Sequence, residues 1–333
     1  MKRKIFAFLA FLLCVTSVHA AVGQAVIDGM NYVLSTDGEV RTATLVAGDK
    51  KYAGRVVIPS IVTFAGIQYK VTAVDNEAFN GCTGLQSITF GDNVTSIGDR
   101  AFSDCTQLTE VVLPQGLTSI GDFAFCFCSG LKTIDIPNSV TNLGVSCFSL
   151  CITATSLKIG SGVSTIPLNA FESCYVLTSV VIPKNVNLIN NYAFLDCRKL
   201  TSVTILSDAI SINGSDVFRG CSALDSLVFG ESVNTIRSSS FTLGNRTNVI
   251  SLAKYPPVCE GDTSPFAGVS PYCVLYVPKG RAADYRMAKG WAGQFRAVDD
   301  MTDSGHSANY DVNGDGVVDI ADATALIECI LAK

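Results

Sequence analysis

The residues best suited to chemistry lie near the end of the chain, in the stretch Asp311–Asp322, DVNGDGVVDIAD. Asp311, Asn313 and Asp315 alternate so that their side-chain oxygens can converge, Gly316 permits the sharp turn, and Val317 offers its backbone carbonyl. Asp319 supplies a direct or water-bridged oxygen and Asp322 a carboxylate at the twelfth position. A hard cation taking six to eight oxygens requires this clustering, and calcium is the ion it suits. Without the ion, the carboxylates of Asp311, Asp315, Asp319 and Asp322 repel one another. Catalysis finds much less. The only histidines are His19 and His306, so serine and cysteine nucleophiles lack a histidine partner in the body of the chain. There is no GxxxxGK phosphate cradle and no HExxH pair. Paired carboxylates for glycoside hydrolysis are compatible with the composition. The acids of the central region, such as Glu110, Asp135 and Asp225, nevertheless occupy variable positions and read as solvated surface charge. The reading is a protein that is not an enzyme.

Whatever positions these residues is a repeat. The stretch Ala101–Pro114, AFSDCTQLTEVVLP, recurs along most of the chain, and Phe102 has counterparts at Phe79, Phe125, Phe148, Phe171, Phe194, Phe218, Phe241 and Phe266, mostly 23 residues apart. Cys82, Cys105, Cys128, Cys151, Cys174, Cys197 and Cys221 form a second column three residues on, and a leucine column follows at Leu85, Leu108, Leu131, Leu177, Leu200 and Leu224. Each leucine opens an L-x-x-[IVL]-x-[IFL] run, often closed by Pro or Gly, which reads as a short strand. A V-x-x-I pair then makes a second inward edge, as in Val94/Ile97 and Val140/Leu143. The A-F segment turns the chain back, read as a short helical turn. One such coil buries too few apolar side chains to fold alone, so stability must come from stacking.

These columns resemble the BspA-like, treponemal type of leucine-rich repeat, over about Tyr69 to Pro278. The resemblance implies a repeat solenoid: a right-handed leucine-rich repeat array of short parallel strands, β-rich, with caps and a small C-terminal calcium-loop and helix segment. It also implies a secreted or surface-displayed, non-enzymatic binding scaffold, adhering to host matrix or to a bacterial surface protein or glycan.

The remaining segments follow from their composition. Lys2, Arg3 and Lys4 precede an apolar run from Ile5 to Val15, and Val18-His19-Ala20 offers small residues for cleavage, so 1–20 reads as a secretory signal peptide. No other stretch is long and apolar enough for a transmembrane helix. Residues 21–68 read as an N-terminal β cap ending in a half-rung at Val56–Pro59, 69–252 as the repeats, and 253–298 as a last rung and C-terminal cap. In that cap Gly280–Phe295 reads as an amphipathic helix with Trp291 as a plug; 299–310 reads as a linker. Losing three basic residues with the signal peptide takes the net charge from −5 to −8, concentrated after Asp299. Such a chain lacks the basic footprint of a nucleic-acid or anionic-membrane binder.

The cysteine column falls in register on parallel strands, where side chains point the same way instead of converging, so its members read as buried free thiols. Pairing of Cys126 with Cys147 and of Cys259 with Cys273 is left open. Two columns point outward from the strands and offer the binding face. One runs Ser87, Glu110, Thr133, Ser156, Ser179, Ser202, Ser226, the other Thr89, Val112, Asp135, Lys158, Val181, Thr204, Val228. Small hydroxyls in rows suit an extended glycan or peptide, and equally suit half-exposed strands.

The tail 311–333, with its loop and a following run of Ala323, Leu326, Ile327, Ile330 and Leu331, resembles a single type I dockerin repeat, a half EF-hand. That likeness implies calcium binding through Asp311, Asn313, Asp315, Val317, Asp319 and Asp322. It further implies, as an alternative function, an accessory component of a polysaccharide-degrading complex held by a cohesin-like partner.

Overall fold

The structure is a computed structural model and describes residues 20–37, 39–207, 209–213, 216–237, 241, 247–260, 264–266, 269–270 and 272–301. The chain opens with an antiparallel meander of β1 (Ala20–Ile27), β2 (Met30–Asp37) and β3 (Val40–Val46). Next come β4 (Ala53–Ile58), β5 (Ile61–Phe64) and β6 (Ile67–Val74), with β6 parallel to β3. The strands then alternate between two walls: β7 (Gly84–Phe90), β8 (Ser96–Ile97), β9 (Glu110–Val112), β10 (Ser119–Ile120), β11 (Thr133–Asp135) and β12 (Asn142–Leu143). The alternation continues through β13 (Ser156–Lys158), β14 (Thr165–Ile166), β15 (Ser179–Ile182), β16 (Leu188–Asn190), β17 (Ser202–Ile205) and β18 (Ala209–Asn213). It finishes with β19 (Ser226–Phe229), β20 (Thr235–Arg237), β21 (Asn248–Ser251), β22 (Val258–Glu260) and β23 (Val274–Val277), followed by α1 (Ala282–Met287) and β24 (Ala297–Asp300).

This is a β-solenoid of about nine turns with almost no helix. The first wall is built from the L-x-x-I-x-I runs, in the order β4-β7-β9, β11-β13 and β15-β17-β19-β21-β23-β24. The second uses the V-x-x-I pairs, with β6-β8-β10-β12 and β14-β16-β18-β20-β22, and its first strand is covered by β3, β2 and β1. Pairing follows the repeat, so Ser87 lies beside Glu110 and Ser179 beside Ser202. Between the walls runs one apolar spine. Phe79, Phe102, Phe125, Phe148, Phe171, Phe194 and Phe218 stack with ring centroids 4.9–6.0 Å apart and planes within 19°, close to the strand spacing of about 4.8 Å that the backbone imposes.

The cysteines of the column are buried thiols that form no disulfide, in keeping with their register. From Cys105 to Cys221 each column thiol also donates to a phenylalanine carbonyl of the preceding turn, Cys105 to Phe79 and Cys128 to Phe102 at 3.2 Å and Cys221 to Phe194 at 3.3 Å. These carbonyls already accept the N–H groups of Cys82, Cys105 and Cys197, so the thiol adds a second, weak bond and cysteine serves here as a small apolar group with a proton to give.

The A-F segment is not a helical turn. Arg100 and Asp104 take φ of 51° and 60°, and the pattern repeats at Phe123 and Phe127 and at Ser146 and Leu150. Left-handed backbone interrupts the helix and swings alternate N–H groups sideways: Arg100, Phe102 and Asp104 donate to Asp122, Ala124 and Cys126 of the next turn at 2.7–2.9 Å. The strain of these non-glycine residues is offset by a third set of inter-turn hydrogen bonds.

At the C-terminal end the helix spans only Ala282–Met287 instead of Gly280–Phe295: Ala288 is extended, with ψ of 136°, and the left-handed Gly290 and Gly293, with φ of 85° and 71°, keep the helix from resuming. Trp291 is fully buried, packs on Phe266 and Tyr285, and donates its indole N–H to the Pro257 carbonyl at 2.9 Å. Asp299 and Asp300, read as linker, instead belong to β24. The Asp300 carboxylate accepts the Arg281 and Ala282 N–H groups at 3.0 and 2.8 Å, closing the start of α1.

Candidate binding surface

Along each strand of the first wall, side chains alternate between the spine and the outside. On β4, β7, β9, β11 and β13 the outward positions are open. Arg55, Glu110, Thr133 and Ser156 are exposed in one column, with Ser87 half-buried; Val57, Thr89, Val112, Asp135 and Lys158 are exposed in the other. Lys158 and Asp135 sit 3.7 Å apart, both largely in water. Such a pair contributes at most about 1 kcal/mol and readily exchanges for another charge. Beside them an open depression of about 390 Å³ is lined by Arg55, Gln86, Ser87, Thr109, Glu110 and Gly130. It places a cation, an anion and amide and hydroxyl groups within one concavity, which equips it to hydrogen-bond a polar chain.

The neighbouring threonines are committed elsewhere. Thr109, Thr155, Thr178 and Thr201 donate their hydroxyls to carbonyls one turn earlier, at 3.0–3.4 Å. On the second wall a depression of about 380 Å³ passes Ser96, Gly98, Asp99, Ser119, Gly121 and Asn142. Its polar groups are structural too: the Asp99, Asp122 and Val145 N–H groups donate to the Asn76, Asp99 and Asp122 side chains at 2.7–2.8 Å. A Cβ on Gly98 or Gly121 would come within 2.6 Å of the Asn76 or Asp99 nitrogen, so this ladder depends on glycine.

The outward columns do not stay open along the whole array. Towards the C-terminus Thr204 and Val228 are 0% exposed and Ser226 9%, whereas Val57 and Val112 in the same relation to their strands are 65% and 56% exposed. Val228, Ile250, Leu252 and Met301 form an apolar cluster separate from the spine, with Tyr276 packed against it. The residue types are those of the open half, so alternation alone does not distinguish a wetted face from a covered one. The candidate surface is therefore the N-terminal half of the first wall.

The calcium-ligand set Asp311, Asn313, Asp315, Val317, Asp319 and Asp322 lies outside the described residues, as do His306 and nearly all of the 1–20 leader. Cys126, Cys147, Cys259 and Cys273 are buried thiols that form no disulfide. Burial pushes the Cys126 thiol up to about 11 and those of Cys105 and Cys259 to about 12. They remain protonated near neutrality and lack the thiolate that nucleophilic chemistry needs. Among the described residues no cluster of three or more His, Cys, Asp or Glu could hold a metal ion. The left-handed turn positions and the thiol ladder escaped sequence reasoning; the only signal for them is the strict spacing of the A-F and Cys columns.

Comparison with solved structures finds other leucine-rich repeat proteins. A leucine-rich repeat protein of T. pallidum is 30% identical over 59% of this chain and 87% of its own, with a TM-score of 0.52. A leucine-rich cell surface protein of Faecalibacterium prausnitzii is 19% identical, covering 87% of this chain and 97% of its own, with a TM-score of 0.47. No curated protein matches. The family model for the BspA type leucine-rich repeat region matches in six copies over residues 60–178 and 164–255. Stacked turns, the phenylalanine and thiol columns and this match converge: the chain belongs to the BspA-type leucine-rich repeat family.

Proposed function

We propose that this protein is a secreted or surface-displayed, non-enzymatic binding scaffold that uses the open half of the first wall to hold an extended partner, a host-matrix or bacterial surface protein or a glycan. The observation that carries it is the run of exposed outward side chains over β4, β7, β9, β11 and β13, beside the depression between Arg55 and Glu110. Five strands at about 4.8 Å spacing present roughly 20 Å of repeating hydrogen-bonding groups, the length of several residues of an extended chain. Leucine-rich repeat proteins bind other proteins, and BspA-type members are surface-binding scaffolds, generally at the cell surface or secreted and generally non-enzymatic. A polar, shallow face without clustered aromatic anchors favours weak contacts that add up along a polymer.

The test is binding of the full chain to arrays of matrix proteins, mucins and polysaccharides, repeated with Arg55→Ala/Glu110→Ala. Retention of a ligand that the double variant loses supports the reading. A ligand held equally by both, or none held by the native chain, refutes it. A second part of the proposal is that Asp311, Asn313, Asp315, Asp319 and Asp322, with the Val317 carbonyl, hold calcium. Its support is the oxygen-only donor set and the glycine at the turn.

A further inference from the structure

The net charge of −5 conceals a reversal at the C-terminal cap. Between residues 279 and 296 stand Lys279, Arg281, Arg286, Lys289 and Arg296 against one acid, Asp284, and Lys254 comes from the loop between β21 and β22. Arg281 is half-buried, while Lys254, Arg286, Lys289 and Arg296 are exposed. Arg281 pairs with Asp284 at 3.2 Å. Lys254, Lys289 and Arg296 have no carboxylate partner among the described residues. The Asp300 carboxylate, which could offset them, is already engaged by the Arg281 and Ala282 N–H groups. This end of the array therefore carries a local positive field on a chain that is negative as a whole.

Within this field an aromatic ring stands in water. Tyr255 is 60% exposed, with the Arg281 guanidinium 4.8 Å and the Lys254 ammonium 5.5 Å from its ring centroid, both inside the roughly 6 Å over which a ring face attracts a cation. The backbone beneath it is pinned on either side. The buried Tyr285 hydroxyl donates to the Ala253 carbonyl at 2.8 Å, and the Trp291 indole donates to the Pro257 carbonyl at 2.9 Å. A ring this exposed adds little to the core; what it does is hold two cations in fixed places. A guanidinium stacked flat on a ring keeps its N–H rim free for a planar anion, and the exposed pair with Asp284 exchanges readily for another carboxylate. We propose that this cap binds an acidic polysaccharide, with Arg281 and Lys254 contacting carboxylate or sulfate groups on its sugars and Tyr255 holding both in position. The site is open, which suits a polymer lying across it over a small ion held in a cavity. The negative chain repels a dense polyanion such as a nucleic acid, with one charge per about 1.7 Å, whereas an acidic polysaccharide spaces its anions by whole sugars. The cations are spaced too, Arg281 and Arg286 lying about 7.5 Å apart along α1. This site lies at the opposite end of the array from the open half of the first wall and does not depend on it.

Biolayer interferometry of the full chain on immobilised chondroitin sulfate and polygalacturonate, with dextran as the neutral polymer, tests the assignment. Native protein is expected to bind at least one acidic polymer, to ignore dextran, and to lose affinity as salt is raised. The two acidic arms separate sulfate from carboxylate as the anion. Lys254→Gln/Arg281→Gln, which alters no spine residue, is expected to weaken binding about tenfold or more. Lys184→Gln/Lys199→Gln removes the same charge elsewhere on the exposed surface and is expected to stay within about twofold of native. Tyr255→Phe is expected to retain binding and Tyr255→Ser to weaken it several-fold. Arg55→Ala/Glu110→Ala is expected to bind as the native chain does, which keeps this result separate from that for the first wall. Failure to bind either acidic polymer, equal binding to dextran, or binding that survives Lys254→Gln/Arg281→Gln overturns the proposal. Equal losses from the two charge-removing pairs, or tighter binding to single-stranded DNA or polyglutamate than to both polysaccharides, overturn it too.

Discussion

The phenylalanine column sets the spacing of the whole array, and its energetics can be isolated at Phe125 and Phe148. Both rings are buried, with centroids 5.1 Å apart and planes 1° from parallel; Phe125 also stacks on Phe102 at 5.0 Å. Replacing Phe125 by Leu keeps an apolar side chain in the spine and removes two ring contacts, each contributing about 0.5–1.5 kcal/mol beyond area burial. The single variant should therefore lose about 1–3 kcal/mol. Phe148→Leu removes the same shared contact, so the double variant counts that contact once, and its loss should fall short of the sum by about 0.5–1.5 kcal/mol. Phe102 and Phe171 lie three turns apart and share no ring partner, so Phe102→Leu/Phe171→Leu should be additive within about 0.5 kcal/mol. Urea denaturation of both cycles, followed by far-ultraviolet circular dichroism at constant m value, reads these differences. Equal coupling in the adjacent and the separated pair would refute the idea that neighbouring turns are bound through ring-on-ring contact.

Alkaline pH should weaken the fold. Burial raises the thiols of Cys105 and Cys174 from near 9 to about 12, so the stability they contribute is complete below about 9 and is lost as pH rises towards 12. Urea midpoints should be level from pH 6 to 8.5 and fall steadily above 9; a level profile up to pH 11 would contradict this. For the same reason the column thiols should resist iodoacetamide at pH 7.5 in the native protein and all react in urea, as counted by mass spectrometry. Trp291→Ala should cost about 3–5 kcal/mol and speed hydrogen exchange in β23 and β24 before β9; uniform acceleration would show that Trp291 is not a terminal plug. Asp315→Ala should abolish calcium uptake by the full chain in titration calorimetry, and unchanged uptake would remove Asp311–Asp322 as the site.

Much of this architecture was legible because each turn repeats the same burial problem. Phe102, Cys105, Leu108 and Val111 recur at fixed offsets, and any residue that recurs through so many turns must face the same surroundings. Even the half-rung at Val56–Ile58 could be read, since over these residues β4 pairs in parallel with β7 as later strands pair, after a register shift at Gly54–Arg55. What stayed hidden has no residue-type signature. The left-handed positions are filled by Arg100, Phe123, Leu150 and Tyr192, none of which announces positive φ. The helix of the C-terminal cap was overdrawn because Tyr285 and Trp291 keep an amphipathic spacing although the backbone leaves the helix at Ala288 and turns left-handed at Gly290. Asp300 looked like part of an acidic linker, although its charge is used at the start of α1. The closed half of the first wall was invisible for a different reason: Thr204 and Val228 are ordinary strand residues, and whether anything lies over them depends on parts of the chain far away in sequence.

The two ends of the array bear on how the molecule behaves in a crowd. Every turn offers its successor the same edge it takes from its predecessor, so bare ends would join head to tail and grow into filaments without limit. At one end the reversal of direction through β1, β2 and β3 substitutes a hairpin edge for that of a turn. At the other, β24 is the edge among the described strands and carries Asp299, so a second molecule's strand would have to come alongside negative charge. Among the described residues both ends thus differ from the turns between them, which works against growth of the array by end-to-end stacking.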